Sequence, residues 1–186
     1  MYRNQSIKKY LDDLAARLPA PGGGSAAALN AALGVCLISM VINFTLGKPK
    51  YAKYQAGLVK ALSAAEKIRK RLLELVDLDV AAFRSKNINK SLGVPLEISR
   101  LCFEALKLCP PLIKKGNRNL ISDVAVAAIL IEAGFSSALF NVRINLRYLK
   151  NKKLSSRLSR GLDKNRVKII RMRGNLEAKI DEIIRG

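Results

Sequence analysis

Residues 19–46 read PAPGGGSAAALNAALGVCLISMVINFTL, and not one of them is charged. The stretch opens on two prolines and three consecutive glycines. It then continues as an Ala-rich apolar run broken by Ser25, Asn30, Ser39 and Asn43. It is too long for a strand and lacks strand alternation, so it predicts a helix. The Pro-Gly-Gly-Gly opening and the polar interruptions would sit poorly in lipid, so a central buried helix is favoured over a membrane span. Ser25 is placed as its N-cap, with the helix over 26–46, and Gly47 and Pro49 end it.

The flanking segments repeat the helical pattern. Ser6 caps a helix over 7–18, with Ile7, Leu11, Leu14 and Leu18 at helical spacing, and Pro19 and Pro21 stop it. A long helix runs over 51–83, with Leu58, Leu62, Ala65, Leu72, Val76 and Phe83 on its buried stripe. Residues 84–93 break the pattern. Val94 and Pro95 open a helix to about 109, and Pro110 and Pro111 interrupt it. Helices over 121–149 and 159–184 complete the chain. No strand-like alternation and no internal repeat appear. The fold expected is all-α, a multi-helix bundle in a single domain over residues 1–186.

Bulk composition narrows the chemistry. Hydrophobic residues make up 49% of the 186, aromatics 5%, and there is no Trp, which suits close packing of helices. The three cysteines, Cys36, Cys102 and Cys109, are odd in number, form no CxxC pair and lie in apolar segments. They read as buried thiols in a reducing compartment, the cytoplasm, and not as a disulfide or zinc framework. The absence of His removes the commonest metal ligand and the usual neutral-pH proton shuttle. No metal site is expected, and acid–base chemistry falls to Asp, Glu, Lys, Tyr or Cys.

Charge is the oddest bulk property: 34 Lys and Arg against 14 Asp and Glu, a formal +20. Residues 143–173 hold twelve bases and one acid, Asp163; residues 48–71 hold eight bases and one acid, Glu66. Either a polyanionic partner or a solvated basic surface explains this. Nucleic acid is the less favoured partner, because aromatic stacking platforms and known recognition signatures are missing.

Three constellations could carry chemistry. Gly22, Gly23 and Gly24 permit close backbone approach, and Ser25 follows at a helix start whose N–H groups suit an electron-rich ligand. Asp79 falls on the apolar stripe of the long helix; either desolvation there raises its pKa toward the range of a general acid or base, or the helix end frays and leaves it exposed. Its neighbour Asp77 points elsewhere. Ser122 and Asp123 follow the Gly116–Asn119 turn and are positioned to cap the next helix. Asn141 and Asn145 lie five and six turns further along the face that carries Asp123. Such polar groups either bond to other helices or line a polar cleft.

Taken together, these segments resemble the folate cyclodeaminase/methenyltetrahydrofolate cyclohydrolase family. The resemblance rests on Pro19-Ala20-Pro21-Gly22-Gly23-Gly24-Ser25, Asp77-Leu78-Asp79-Val80-Ala81-Ala82-Phe83, Val94-Pro95-Leu96, Gly116-Asn117 to Ser122-Asp123, and Asn141-Val142-Arg143-Ile144-Asn145-Leu146, in that order. It covers about residues 6–150 and leaves 151–186 as a basic C-terminal extension. The resemblance implies homodimers or larger homo-oligomers and a tetrahydrofolate derivative as substrate, with no cofactor. The implied chemistry is either cyclisation of 5-formimino-tetrahydrofolate with loss of ammonia or hydration of 5,10-methenyl-tetrahydrofolate. It implies Asp123 and Asp79 as acid/base groups, and Gly22, Gly23, Gly24, Ser25, Asn117, Asn119, Ser122, Asn141 and Asn145 around the folate. Lys48, Lys50 and Lys53 would attract its glutamate tail. Only ten residues separate Phe83 from Val94, where the family has a longer insert. A relative that keeps the fold without the chemistry, and a polyanion-binding module, are the alternatives.

Overall fold

The computed structural model describes all 186 residues as seven α-helices and three short 3-10 turns, without strands. The helices are α1 (Ile7–Ala15), α2 (Gly23–Asn43), α3 (Gln55–Arg84), α4 (Ile88–Leu106), α5 (Cys109–Lys115), α6 (Ile121–Leu146) and α7 (Lys152–Arg185). The 3-10 turns cover Tyr2–Asn4, Pro49–Tyr54 and Arg118–Leu120.

The antiparallel pair α2 and α6 forms the axis of the bundle. Small residues let the two backbones approach: Gly34 lies against Ile131 and the Ala127 carbonyl, and Gly134 against Ala31 and the Ala27 carbonyl. A methyl group at either glycine would fall within 3 Å of its neighbour, so the spacing depends on both. Helices α3 and α4 pack around this pair, with Leu72, Leu75, Ile98 and Cys102 in the shared core. Helix α7 closes the bundle, burying Leu162, Ile169, Leu176 and Ile180. The segment drawn from sequence as an extension thus belongs to the same core. Two helical stretches, Gly23–Asn43 and Arg118–Leu146, are long and apolar enough to cross a membrane. Here they supply the centre of the bundle.

Several expectations need correction. Helix α1 ends at Ala15, and its Ile7 and Leu11, like Leu18 beyond it, face solvent; Tyr10 is the residue it buries. Helix α2 starts earlier than expected, with Gly22 at the cap and Ser25 already inside. Helix α4 starts at Ile88, capped by Asn87, so Pro95 lies in its interior. A proline there leaves the carbonyl four residues back without its helical donor. The carbonyl concerned is Ser91, and the Asn145 Nδ2 donates to it at 2.7 Å. The two prolines at 110–111 open α5 instead of ending a helix. Helix α7 begins at Lys152, where the Asn151 side chain accepts from the Leu154 N–H. Cys102 and Cys109 are buried, but Cys36 is exposed.

Candidate active site

The glycine turn leads from the cis Ala20–Pro21 bond straight into the first turn of α2. Its shape is dictated by a carboxylate. Asp79, from near the C-terminal end of α3, reaches the start of α2, where its Oδ2 accepts from the Ser25 N–H at 2.9 Å. A Cβ at Gly24 would sit 2.1 Å from Asp79 Oδ1, so only glycine leaves room for this contact. A free helical N–H meeting a carboxylate at the positive end of the helix dipole is a favourable pairing. Burial nevertheless dominates and pushes the Asp79 carboxyl above its ordinary value, with the Ser25 N–H working in the opposite direction.

Behind the turn, Tyr10 and Ser25 share a hydrogen bond of 3.1 Å between hydroxyls, both buried. Tyr10 is held edge-on by Tyr2, with ring centroids 5.3 Å apart. Burial raises the Tyr10 pKa, so its hydroxyl stays protonated. The pair fixes Ser25, whose N–H orients Asp79.

In front of the turn is a cavity of about 320 Å³. Gly22–Gly24, Asp79, Phe83 and Ser91 line one side, and Asn141, Ile144 and Asn145 the other. Asn141 lies against Gly23, donating its Nδ2 to the Ser137 carbonyl at 3.1 Å. Each asparagine commits one N–H of its side-chain amide to a main-chain carbonyl, and its Oδ1 remains as an acceptor beside the cavity. A larger cavity of about 620 Å³ lies behind α3, lined by Met1, Tyr2, Asp77 and Arg84 among others. Its carboxylate, Asp77, is already engaged by the Tyr2 N–H and faces Arg3. Polar groups converge on the smaller cavity, which is the better candidate site.

The structure gathers Gly22, Gly23, Gly24, Ser25, Asp79, Asn141 and Asn145 into one place, and leaves the other expected site residues at the far end of the α2–α6 pair. Eighteen residues of helix separate Asp123 from Asn141, a rise of about 27 Å. Asp123 lies in the first turn of α6, whose cap is Leu120 without any side-chain bond, so neither Ser122 nor Asp123 caps it. Asn117 is buried beside the end of α2, where its N–H donates to Thr45 Oγ1 at 2.8 Å. Its side chain accepts from the Asn119 N–H, closing the local turn. Lys48, Lys50 and Lys53 are exposed at this same far end. Tyr10, Ser91 and Phe83 were not anticipated as site residues. The interior Pro95 is the signal that would have marked Ser91, since it frees that carbonyl.

Comparisons with known proteins agree with this architecture. The family model described as formiminotransferase-cyclodeaminase matches residues 6–86 and 84–164, so its two pieces meet at the short link between α3 and α4. The methenyltetrahydrofolate cyclohydrolase of Methylorubrum extorquens is 37% identical over 175 residues, covering 82% of this chain and 84% of the relative. The formimidoyltransferase-cyclodeaminase of Rattus norvegicus is 28% identical over 94% of this chain, which spans 37% of that longer protein. The crystal structure of formiminotetrahydrofolate cyclodeaminase from Thermotoga maritima superposes with a TM-score of 0.93 at 26% identity. It covers 99% of this chain and 100% of its own, α7 therefore included.

Proposed function

The chain belongs to the formiminotransferase-cyclodeaminase family, and on that premise we propose that the cavity at its glycine turn binds a tetrahydrofolate derivative. The protein is an enzyme of folate one-carbon metabolism, of the cyclohydrolase or cyclodeaminase type. The observation that carries the site assignment is Asp79, half-buried, with its pKa raised, and held over the cavity by the Ser25 N–H. Both reactions pass through a tetrahedral carbon and need one group that takes a proton and returns it. In hydration of the methenyl form, Asp79 takes the proton of the attacking water. It then delivers a proton to the ring nitrogen as the carbon–nitrogen bond opens. In cyclodeamination it takes the proton of the attacking nitrogen and supplies one to the departing ammonia. A pKa raised above the ordinary carboxylate value suits both halves. Its anionic form also offsets the charge of the methenyl cation. The Oδ1 atoms of Asn141 and Asn145 match the N–H donors of a pterin ring. Neither reaction changes an oxidation state, so no redox cofactor enters. The buried free thiols at Cys102 and Cys109 fit the reducing cytoplasm.

We infer further that the working unit is a homodimer built on α2 and α6. These helices are apolar nearly all round, which suits full burial. Yet Leu33, Phe44, Val126, Ile129, Phe140 and Ile144 face solvent, with Leu33 51% and Phe140 69% exposed. Leu37 and Met40 lie half-buried on the same stripe of α2, and Asn30 ties the two stripes together by donating to the Leu130 carbonyl at 2.9 Å. A contiguous apolar surface of this kind calls for a partner. In a two-fold dimer through antiparallel stripes, the glycine end of one copy lies beside the far end of the other. Asp123, Asn117, Asn119, Ser122 and the lysines at 48, 50 and 53 would then complete the site from the second copy.

The test is a spectrophotometric assay with 5,10-methenyl- and 5-formimino-tetrahydrofolate. Consumption of the methenyl chromophore identifies the hydrolase and its appearance the deaminase. No turnover and no binding of either folate refutes the assignment. For the dimer, Leu33→Asp/Phe140→Asp should give a folded monomer by sedimentation; an unchanged sedimentation coefficient refutes that face.

A further inference from the structure

The excess charge of the chain is organised on α7. Lys153, Arg157, Arg160, Lys164, Lys168 and Arg171 follow one another at steps of four, three, four, four and three residues. At about 100° per residue these steps keep all six within a strip of about 80° on the helix surface. All six are exposed. The row is about 27 Å long. It contains no acid. The one acidic residue near it, Asp163, lies off the strip and is bound by Arg143 at 2.8 Å. The other ion pairs of α7 involve Arg173 and Glu177, beyond the row's end. Side chains that keep a folded domain soluble are normally of mixed sign, and a row of one sign with no compensating carboxylate is a field aimed outward.

We propose that this edge of α7 is a docking surface for the phosphate backbone of a nucleic-acid duplex, bound without regard to sequence. Three features select that partner. Most of the apolar face of α7 is consumed by the core, with Ile169, Leu176 and Ile180 buried; Val167, Ile170 and Ile184 stay exposed but form no continuous apolar face of the kind that inserts into a lipid surface. Helix α7 carries no aromatic residue, so the row itself offers no platform for stacking the bases of a single strand. What remains is a straight row of cations on a rigid helix, which contacts phosphates and not base edges. The row lies on the side of α7 turned away from the core and is independent of the reaction assigned above.

The experiment is fluorescence anisotropy of a labelled 20-base-pair DNA duplex titrated with the full chain across a sodium chloride series. With up to six phosphates engaged, the logarithm of the affinity should fall against the logarithm of salt with a slope of about −5. Between 50 and 200 mM the affinity then weakens about 10³-fold. The variant Lys164→Gln/Lys168→Gln should make that slope shallower by about 2. Lys50→Gln/Lys53→Gln, at the far end of α2, should leave it unchanged. Circular dichroism confirms the fold of both, and their exposed positions make its loss unexpected. The proposal is overturned if no duplex binds at 50 mM salt, or if the two double variants lose slope equally. It is also overturned if phosphatidylserine vesicles are bound through the row more tightly than the duplex.

Discussion

The two ends of the α2–α6 pair carry similar residues in different circumstances. At the glycine end, Asp79 meets a helix N–H, has its pKa raised by burial, and faces a cavity with two asparagine oxygens. At the far end, Asn117 caps a turn, Thr45 takes up its N–H, and Tyr51 takes that of Arg118. Asp123 there is half-exposed and makes no hydrogen bond that would hold it. The same residue types therefore differ in how far they are committed. One end holds a carboxylate anchored by a main-chain N–H beside a cavity, the half-site of the proposed function. The other is a braced turn with free polar groups that need something brought to them.

The sharpest way to break this contrast is Asp79→Asn. Removing the group proposed to carry the proton should lower kcat by about 10² to 10⁴-fold, as judged by initial rates. Stability should move the other way. A carboxylate whose folded pKa is raised binds its proton more tightly in the folded state. Folding stability therefore falls as pH rises from its ordinary value of 3.8 through the folded pKa, and the cost persists at neutral pH. Asn carries no such cost and can still accept from the Ser25 N–H. The variant should melt higher than wild type at pH 7 and lose that advantage near pH 3. A lower melting temperature at pH 7 would mean that the carboxylate stabilises the glycine end.

Gly24→Ala comes next. Its new methyl group would overlap Asp79 Oδ1, 2.1 Å away, and the carboxylate must swing out of the turn. A displacement of about 1 Å at a reacting group costs about 10²-fold in rate. Gly22→Ala is the control, since nothing lies within 4 Å of a Cβ there. Equal losses from both would mean that the turn matters for its flexibility and not for its closeness to Asp79.

The glycine end was largely legible before the structure, because its signals are local. Three glycines ahead of an apolar run fix a turn and a helix, and a lone carboxylate on an apolar stripe announces desolvation. What escaped depended on tertiary partners. Tyr10 is one position from Leu11 on a helix whose apolar stripe faces solvent, and only its contact with Ser25 shows which face turns inward. Pro95 reads as a helix boundary until Asn145 is seen supplying the donor that Ser91 lacks. Periodicity places Asp123 on one face with Asn141, but a shared face on a long helix is not a shared site.

Mixing tests whether the far end works in trans. Asp123→Asn should also impair turnover if the second copy completes the site. Neither variant alone recovers, but an equimolar mixture of Asp79→Asn and Asp123→Asn, unfolded and refolded together, should regain about a quarter of wild-type activity. Half of the dimers are then mixed, and each of these holds one intact site of two. No recovery, with Asp123→Asn fully active, would confine catalysis to the glycine end of a single chain.

The smallest effect belongs to Tyr10→Phe, which separates bracing from chemistry at the glycine end. The ring stays, with its edge-on contact to Tyr2, but the Ser25 hydroxyl loses its partner in a fully buried position. An unsatisfied buried hydroxyl costs about 1–3 kcal/mol, which chemical denaturation would read as a lower midpoint at unchanged slope. Because the Ser25 N–H still reaches Asp79, turnover should fall far less than in Asp79→Asn. Adding Ser25→Ala removes the orphaned hydroxyl, and the double variant should regain part of the lost stability, the signature of a bond between the two. A Tyr10→Phe enzyme as inactive as Asp79→Asn would instead put the Tyr10 hydroxyl within the proton path, and the glycine end would then hold two proton carriers where the geometry assigns one.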